Sequence, residues 1–429
     1  MLMNAASGKI VRTYVALTLL STFASSFIWG VNTLFLLDAG LTITEAFAAN
    51  AFFTAGQVIF EIPTGVVADT RGRRLSFLLG TATLFATTLA YLWLWQIKGP
   101  FWGWAIVSTL LGLGFTFFSG ATEAWLVDGL KAAGFNGELD NVFAKGSIAA
   151  GIAMLTGTLT GGVVAQYTNL SVPYILRIAA LAVTFLLALF LMHDEGFTPK
   201  KKTGVVSEVR DVVSGAVEFG VRNAPIRWMM LSSLFSGGVA IFGFYAMQPY
   251  LLELYGKSDS YIIAGVSATI VAAAQIVGGL LVPHVHSLFQ TRTALLITGN
   301  LAAAVALLLI AFGGTYWLVL ALLAVWAIVF SAVGPVRQAY VNGIVPSEQR
   351  ATVLSADNLV TSAGGMISQP ILGKMADSLG YPASYIGSSI LQFLAVPFIF
   401  LARREKAASD PINTAAQSAV EALDKTAVR

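Results

Sequence analysis

The ten residues GVVADTRGRR, Gly65 to Arg74, sit between two long apolar runs and decide how the rest of the chain reads. They gather Asp69, Arg71, Arg73 and Arg74 in a protein where only 11% of residues are charged. Soluble domains carry about 25% charged residues, and a chain this poor in charge could not cover a water-facing surface with polar groups. With 56% of the residues hydrophobic, the solvent for most of the chain is lipid. A basic cluster between apolar runs is then a short loop joining two membrane-crossing helices, on the side that retains positive charge. Gly65 allows close helix packing, and Gly72 allows a tight reversal.

Working outward, apolar runs of about 20 residues, the length that crosses the hydrocarbon core, begin near Thr13, Glu45, Leu75, Phe101, Val142, Val172, Ile226, Ser260, Thr293, Tyr316, Ala351 and Pro382. This predicts twelve spans. Lys9, Arg12, Arg71, Arg73, Arg74, Lys131, Lys145, Lys200, Lys201, Lys202, Arg292, Arg350, Arg403 and Arg404 fall on one side, against Lys98, Lys257 and Lys374 on the other. The asymmetry puts both termini in the cytoplasm. The first run has no small-residue cleavage site leading into a soluble domain, so it reads as a retained span.

The longest break, 194–225, separates a first six-span unit, 1–193, from a second, 226–405. Inside the break, Val209, Val212, Val213, Val217 and Phe219 interleave with Glu208, Arg210, Asp211 and Glu218. That pattern predicts an amphipathic helix lying on the inner membrane face. Residues 406–429 are polar and small, which predicts a disordered tail. The two units align internally. A shift of 218 places Gln57 on Gln275 and Arg74 on Arg292, and a shift of 214 places EAWLVDG, Glu123 to Gly129, on RQAYVNG, Arg337 to Gly343. Parallel repeats of this kind place the substrate site between the halves, near the membrane midplane.

Several chemistries are excluded. The chain has no cysteine, hence no disulfide or thiolate metal site. Its histidines, His193, His284 and His286, are too few for a histidine-based metal centre. There is no nucleotide-binding motif and no nucleophile, base and orienting group in a recognisable constellation. The expectation is therefore a protein without cofactor, metal or nucleic-acid partner, and not an enzyme.

The segment GVVADTRGRR resembles the G-x-x-x-D-x-x-G-[RK]-[RK] loop that marks the major facilitator superfamily between spans two and three. Span count, long central loop and paired halves extend the resemblance over the whole chain. It implies an all-α membrane protein of two pseudo-symmetric six-helix bundles that moves a small solute by alternating access. It also implies a cavity lined by spans 1, 4, 7 and 10, which here carry Trp29 and Asn32, Phe118 and Glu123, Tyr245 and Gln248, and Trp326 and Arg337. Aromatic walls with a few polar groups suit a partly apolar organic ligand. The family's latch would join Asp69, Arg73 and Arg74 to the start of span 11, where Ser347 is a suitable N-cap, with Asp128 as the acidic partner of Arg73 or Arg74. Two patterns of the proton-coupled drug antiporters are missing: STLLGLGFTFF in span 4 has no arginine, and GIAMLTGTLTGG in span 5 has no proline. The expected function is proton-coupled export of amphipathic compounds. The alternative is uptake or facilitated movement of a metabolite such as a sugar or organic acid. The expected partners are the substrate, protons and the bilayer, for a monomer in a bacterial inner membrane.

Ionisable groups inside a span are costly and are functional candidates by default. Glu61, Glu123 and Asp357 are the carboxylates placed to carry a proton. Glu123 and Arg337 hold equivalent places in spans 4 and 10, which predicts an ion pair across the repeat axis, acting as a cytoplasmic gate that breaks in the inward-open state. Arg177, in the outer part of span 6, is placed to snorkel toward the interface. A receptor or scaffold on the same fold would need a soluble ligand-reading domain, and the sequence has none.

Overall fold

The structure is a computed structural model that describes residues 5–135, 137–199, 204, 209–210, 214, 220, 222–345 and 350–412. Among them the regular elements are helices: α1 Ala5–Trp29, α2 Asn32–Asp38, α3 Ile43–Arg71, α4 Arg73–Ile97, α5 Phe101–Thr116, α6 Ala121–Ala132, α7 Leu139–Tyr167, α8 Val172–Leu191, α9 Ala224–Tyr255, α10 Tyr261–Ser287, α11 Arg292–Phe312, α12 Tyr316–Asn342, α13 Arg350–Leu379 and α14 Tyr381–Arg404. Most of the central break, with its expected amphipathic helix, lies outside the described residues, as do Ser347 and residues 413–429.

Eleven helical stretches among the described residues are long and apolar enough to cross a bilayer, with 101–132 counted as one. That is one fewer than expected. The difference is α13, which has the length but carries Asp357, Asn358, Gln369, Lys374 and Asp377. The molecule is an integral membrane protein. Large apolar side chains stand exposed around it, among them Leu280, Phe312 and Phe190, as a lipid-facing surface requires. Trp102 at 66% exposure and Trp317 at 73% sit at helix starts on one end, where indoles favour the membrane interface.

That end, here the far end, is opposite the near end that holds Ala5 and Arg404. The two ends are packed differently. Toward the far end, one buried cluster joins Phe47 of α3 to Phe242, Tyr250, Leu307, Leu372 and Tyr385 of the second chain half. Another joins Leu252 and Ala264 to Phe35, Trp104 and Tyr174 of the first half. Toward the near end the clusters do not mix. One is built from residues between Ile10 and Met192, the other from residues between Ile226 and Ala402.

Polar groups complete the far-end seal. Thr42 caps α3 in a capping box with Glu45, and the free amides of Ile43 and Thr44 donate to the Asp377 carboxylate at 2.9 and 2.7 Å. A carboxylate there also favours the positive helix end. Where α7 crosses α10, Gly162 faces Gly265 so closely that an added Cβ would lie 2.6 Å from the neighbouring Cα.

The near end shows the internal repeat in its contacts. After α8, Asp194 accepts the backbone N–H of Arg74 at the start of α4, at 2.9 Å. After α14, Asp410 accepts the backbone N–H of Thr293 at the start of α11, at 2.8 Å. Arg74 donates to the Leu189 carbonyl, and Arg292 donates to the Ser409 and Pro411 carbonyls. Each half thus ends by capping its own third span. The expected tail is corrected to this extent: residues 406–412 dock on the near end, because the α11 N-terminus offers them unpaired amides.

Candidate transport site

Two spans of the first chain half are broken. The first is interrupted between α1 and α2, at Gly30 and Val31. Its freed backbone is satisfied by Gln248 of α9, which donates to the Trp29 carbonyl at 2.7 Å and accepts the Thr33 N–H at 3.1 Å. The Thr33 hydroxyl donates to the Tyr245 carbonyl at 3.0 Å. The fourth span is interrupted between α5 and α6, where Gly120 takes φ +66°, a left-handed turn that glycine adopts without strain. There the Ser119 hydroxyl donates to Glu61 of α3 at 2.7 Å, and Ser76 donates to the Phe117 carbonyl at 2.8 Å. Irregular backbone at membrane depth is tolerated where it is buried in protein or lines a cavity, and broken helices are a recurrent way to build a transport site.

Three cavities meet this region or lie near it. A groove of about 440 Å³ opens between α3 and α13, lined by Gln57, Glu61, Ser355, Asn358 and Ser362. A second space of about 180 Å³ lies within the second chain half, among Ser232, Ser236, Asn300, Arg337 and Gln392. Gln392 donates to Asn300 there at 2.6 Å. A third, about 80 Å³, lies at the near end beside Lys9, Trp125 and Glu195.

The structure gathers Trp29, Asn32, Tyr245 and Gln248 around the first break. Asn32 is buried and accepts the Tyr174 hydroxyl at 2.9 Å. Both the oxygen and the nitrogen of the Gln248 amide are engaged with the α1–α2 backbone, so in this conformation Gln248 helps close the far end. Phe118 packs edge-on against Phe77 at 4.7 Å beside the second break. Trp326 is buried against Gly243 and stacks on Phe330, 5.7 Å between centroids, which makes it a core residue of the second half. Glu123 is exposed on α6. Glu61 is exposed on the wall of the large groove.

Two expected pairings are replaced by others in this conformation, and one expected orientation is replaced by burial. Arg337 meets Asp357, not Glu123: its two terminal nitrogens donate to the carboxylate at 2.5 and 2.6 Å, and Nη2 also reaches the Met229 carbonyl at 3.2 Å. The repeat gives Glu123 and Arg337 the same place along their helices, but helix rotation turns Arg337 toward α13. Asp128 was the expected partner of Arg73 or Arg74. Instead Arg73 bonds Asp69 across Gly72 at 2.6 Å, and Arg74 uses Asp194 and Leu189. The physical reason is the strand of chain after α8. The His193 backbone carbonyl accepts the Trp125 indole N–H, Gly196 lies against the Asp128 carbonyl, and Phe197 lies beneath Arg73 at 5.9 Å. That segment fills the space Asp128 would need. Finally, Arg177 does not snorkel. It is 2% exposed, with Nε donating to Thr88 at 3.1 Å and its guanidinium 6.0 Å from the Phe115 ring centre. Sequence reasoning missed the burial of Arg177 and both helix breaks. The signals were a charge in an apolar run, and the glycines at 30 and 120.

An all-helical membrane protein with broken spans, a charged pair within its spans and a groove between α3 and α13 has the architecture of a transporter. The Major Facilitator Superfamily sequence profile matches residues 14–295 and 286–427, and the chain belongs to that family. A sequence comparison with curated proteins finds no match. Solved structures with the same fold include a variant of the nucleoside transporter NupG, at TM-score 0.74 and 14% identity over 91% of this chain and 99% of that one. A D-xylose-proton symporter matches at 0.67 and 16% over 92% and 98%. A bacterial homolog of the human lysosomal transporter Spinster, solved inward-facing and unoccupied, matches at 0.68 and 16% over 94% and 98%.

Proposed function

We propose that the protein is a secondary transporter that moves a small, partly apolar organic solute by alternating access between two six-helix bundles. In this reading α1 with α2 and α5 with α6 form one span each, and α13 is the twelfth, giving twelve spans. Its polarity suits a helix that lines the route and does not face lipid. The near end is the cytoplasmic one, consistent with its arginines, and the conformation is inward-facing. One observation carries the reading: buried clusters that mix the chain halves toward the far end and stay separate toward the near end. Such packing lets one end part while the other holds.

Proton coupling is proposed through Glu61, Glu123 or Asp357, and the direction is export of amphipathic compounds from a bacterial inner membrane. The aromatic surroundings of Trp29, Phe115, Phe118 and Tyr245 support an apolar solute body. Asp69, Arg73 and Arg74 remain the proposed latch of the inward-closed state, with Asp128 released to it when the segment after α8 moves. A metabolite carrier driven by protons is the second reading, since the D-xylose-proton symporter shares the fold.

The absence of native cysteine makes the test direct. Asn358→Cys, in the groove wall, is expected to label with a membrane-impermeant thiol reagent from the cytoplasmic face only, and to become protected when an imposed pH gradient closes that face. Constant labelling under every gradient and solute tried would indicate a rigid scaffold. Glu61→Gln, Glu123→Gln and Asp357→Asn are then compared for gradient-dependent protection. If all three keep it in full, the proton site lies elsewhere.

A further inference from the structure

Among the described residues, Arg177 is a fully buried cation with no carboxylate beside it. Its Nη2 has no hydrogen-bond partner, Nε is taken by Thr88, and the ionisable groups within electrostatic reach are Tyr174, Tyr91 and Tyr245. Two of those tyrosines are already engaged. Tyr91 shares a hydrogen bond with Ser108 at 2.7 Å, and Tyr174 donates to Asn32. The Tyr245 hydroxyl makes no hydrogen bond among the described residues, although its backbone carbonyl helps close the far end. Thr88 lies roughly 14 Å from the far end of α4 at 1.5 Å per residue, which sets the guanidinium near the middle of a core about 30 Å thick.

A lone buried charge is unfavourable by several kcal/mol unless a counter-charge or hydrogen bonds compensate it. A cation–π contact and one threonine compensate it only in part, because a buried donor is left open. The arginine comes from the first chain half and the free hydroxyl from the second, directly beneath the seal made by Gln248 and Thr33. Resting on the transporter reading above, we propose that the solute is a small monoanionic organic acid, whose carboxylate is bound by the Arg177 guanidinium and the Tyr245 hydroxyl. Guanidinium recognises carboxylate with parallel N–H donors. A single cation suits a single negative charge. The Phe115 ring and the stacked Tyr91 and Tyr174 rings, 6.3 Å between centroids, are the apolar surfaces beside it. The anion would link the two halves while the far end is shut, and so favour the state that opens toward the cytoplasm.

The experiment uses purified full-length protein and pairs each acid with its own amide: benzoate with benzamide, phenylacetate with phenylacetamide, octanoate with octanamide, lactate with lactamide. Thermal stabilisation and tryptophan fluorescence report binding. At least one acid is expected to bind and to outperform its amide, and Arg177→Gln to weaken that binding about 10- to 100-fold. Arg177→Lys, which keeps the charge, should recover part of it. Without ligand, Arg177→Met should melt no lower than the unsubstituted protein, since it removes an uncompensated charge. If no acid outperforms its amide, or if Arg177→Met melts well below both the unsubstituted protein and Arg177→Lys without ligand, the arginine is structural and the proposal fails. Counterflow in proteoliposomes separates the two readings. Acid binding that needs Arg177 but yields no counterflow refutes the transporter reading and leaves the anion site standing. Counterflow of a neutral amide that Arg177→Gln leaves intact refutes the anion site and leaves the transporter standing.

Discussion

Arg177 and Arg337 are both arginines held inside helical spans, one in each chain half, and they are treated in opposite ways. Arg337 is joined to Asp357 by two charge-assisted bonds and to a carbonyl by a third. Arg177 meets a hydroxyl and an aromatic face, and one of its donors has no hydrogen-bond partner among the described residues. The first is neutralised by a carboxylate within its own half, with only its Nε left without a partner among the described residues. The second is an open valence at the boundary between halves. The pair ties α12 to α13 in this conformation, while the second arginine has no counter-charge among the described residues.

The largest effect is expected at the pair. Removing one member strands the other charge, at about 3–5 kcal/mol. Arg337→Met alone and Asp357→Leu alone should each lose that much in unfolding by denaturant. The double variant should recover most of it, because an apolar pair of similar volume is often as stable as the ion pair. A double variant as unstable as either single one would mean that the two residues do not act as a closed unit.

The far-end seal should respond less. Gln248→Ala leaves the Thr33 N–H and the Trp29 carbonyl unsatisfied, at about 1–3 kcal/mol. Faster amide exchange at residues 29–34, with little change in α12 and α13, is the expected signature. Uniform change across the protein would show that the seal is not a local element.

The smallest effects sharpen the comparison of the halves themselves. Asp194→Ala and Asp410→Ala each remove a carboxylate from a helix N-terminus, worth about 1 kcal/mol. The two losses should match within error and add in the double variant, because the sites are far apart. A large inequality would break the symmetry that the contacts suggest.

Much of the fold was legible from the chain, because lipid imposes a length on each span. The reading of Gly65 to Arg74 as a tight loop rests on neighbouring residues, and Gly72 takes φ +113° there. What was not legible depended on rotation and distance. The internal alignment gave Glu123 and Arg337 equal depth, but depth says nothing of which way a side chain faces. Arg177 was expected to reach toward water from near a helix end, whereas the aromatic residues of three other helices enclose it. Asp194 and Asp410 lay in polar stretches that resemble linker. Their role follows from which amides the helix starts leave free, and that requires the assembled bundle. Glu61 was readable as a charge at membrane depth, but not as the partner of a serine in a broken span.

The two aspartate caps carry a consequence for biosynthesis. Asp194 is 120 residues from the helix start it covers, and Asp410 is 117 from its own. In each half, then, the third span is inserted with its amides bare and is covered only when the sixth has followed it. Chain emerging at about 5–20 residues per second leaves that helix end uncovered for several seconds, twice per molecule. A chain released after truncation between Arg404 and Asp410 would leave the second half with every span in place and its third span unfastened, a lesion that a count of membrane crossings would never reveal.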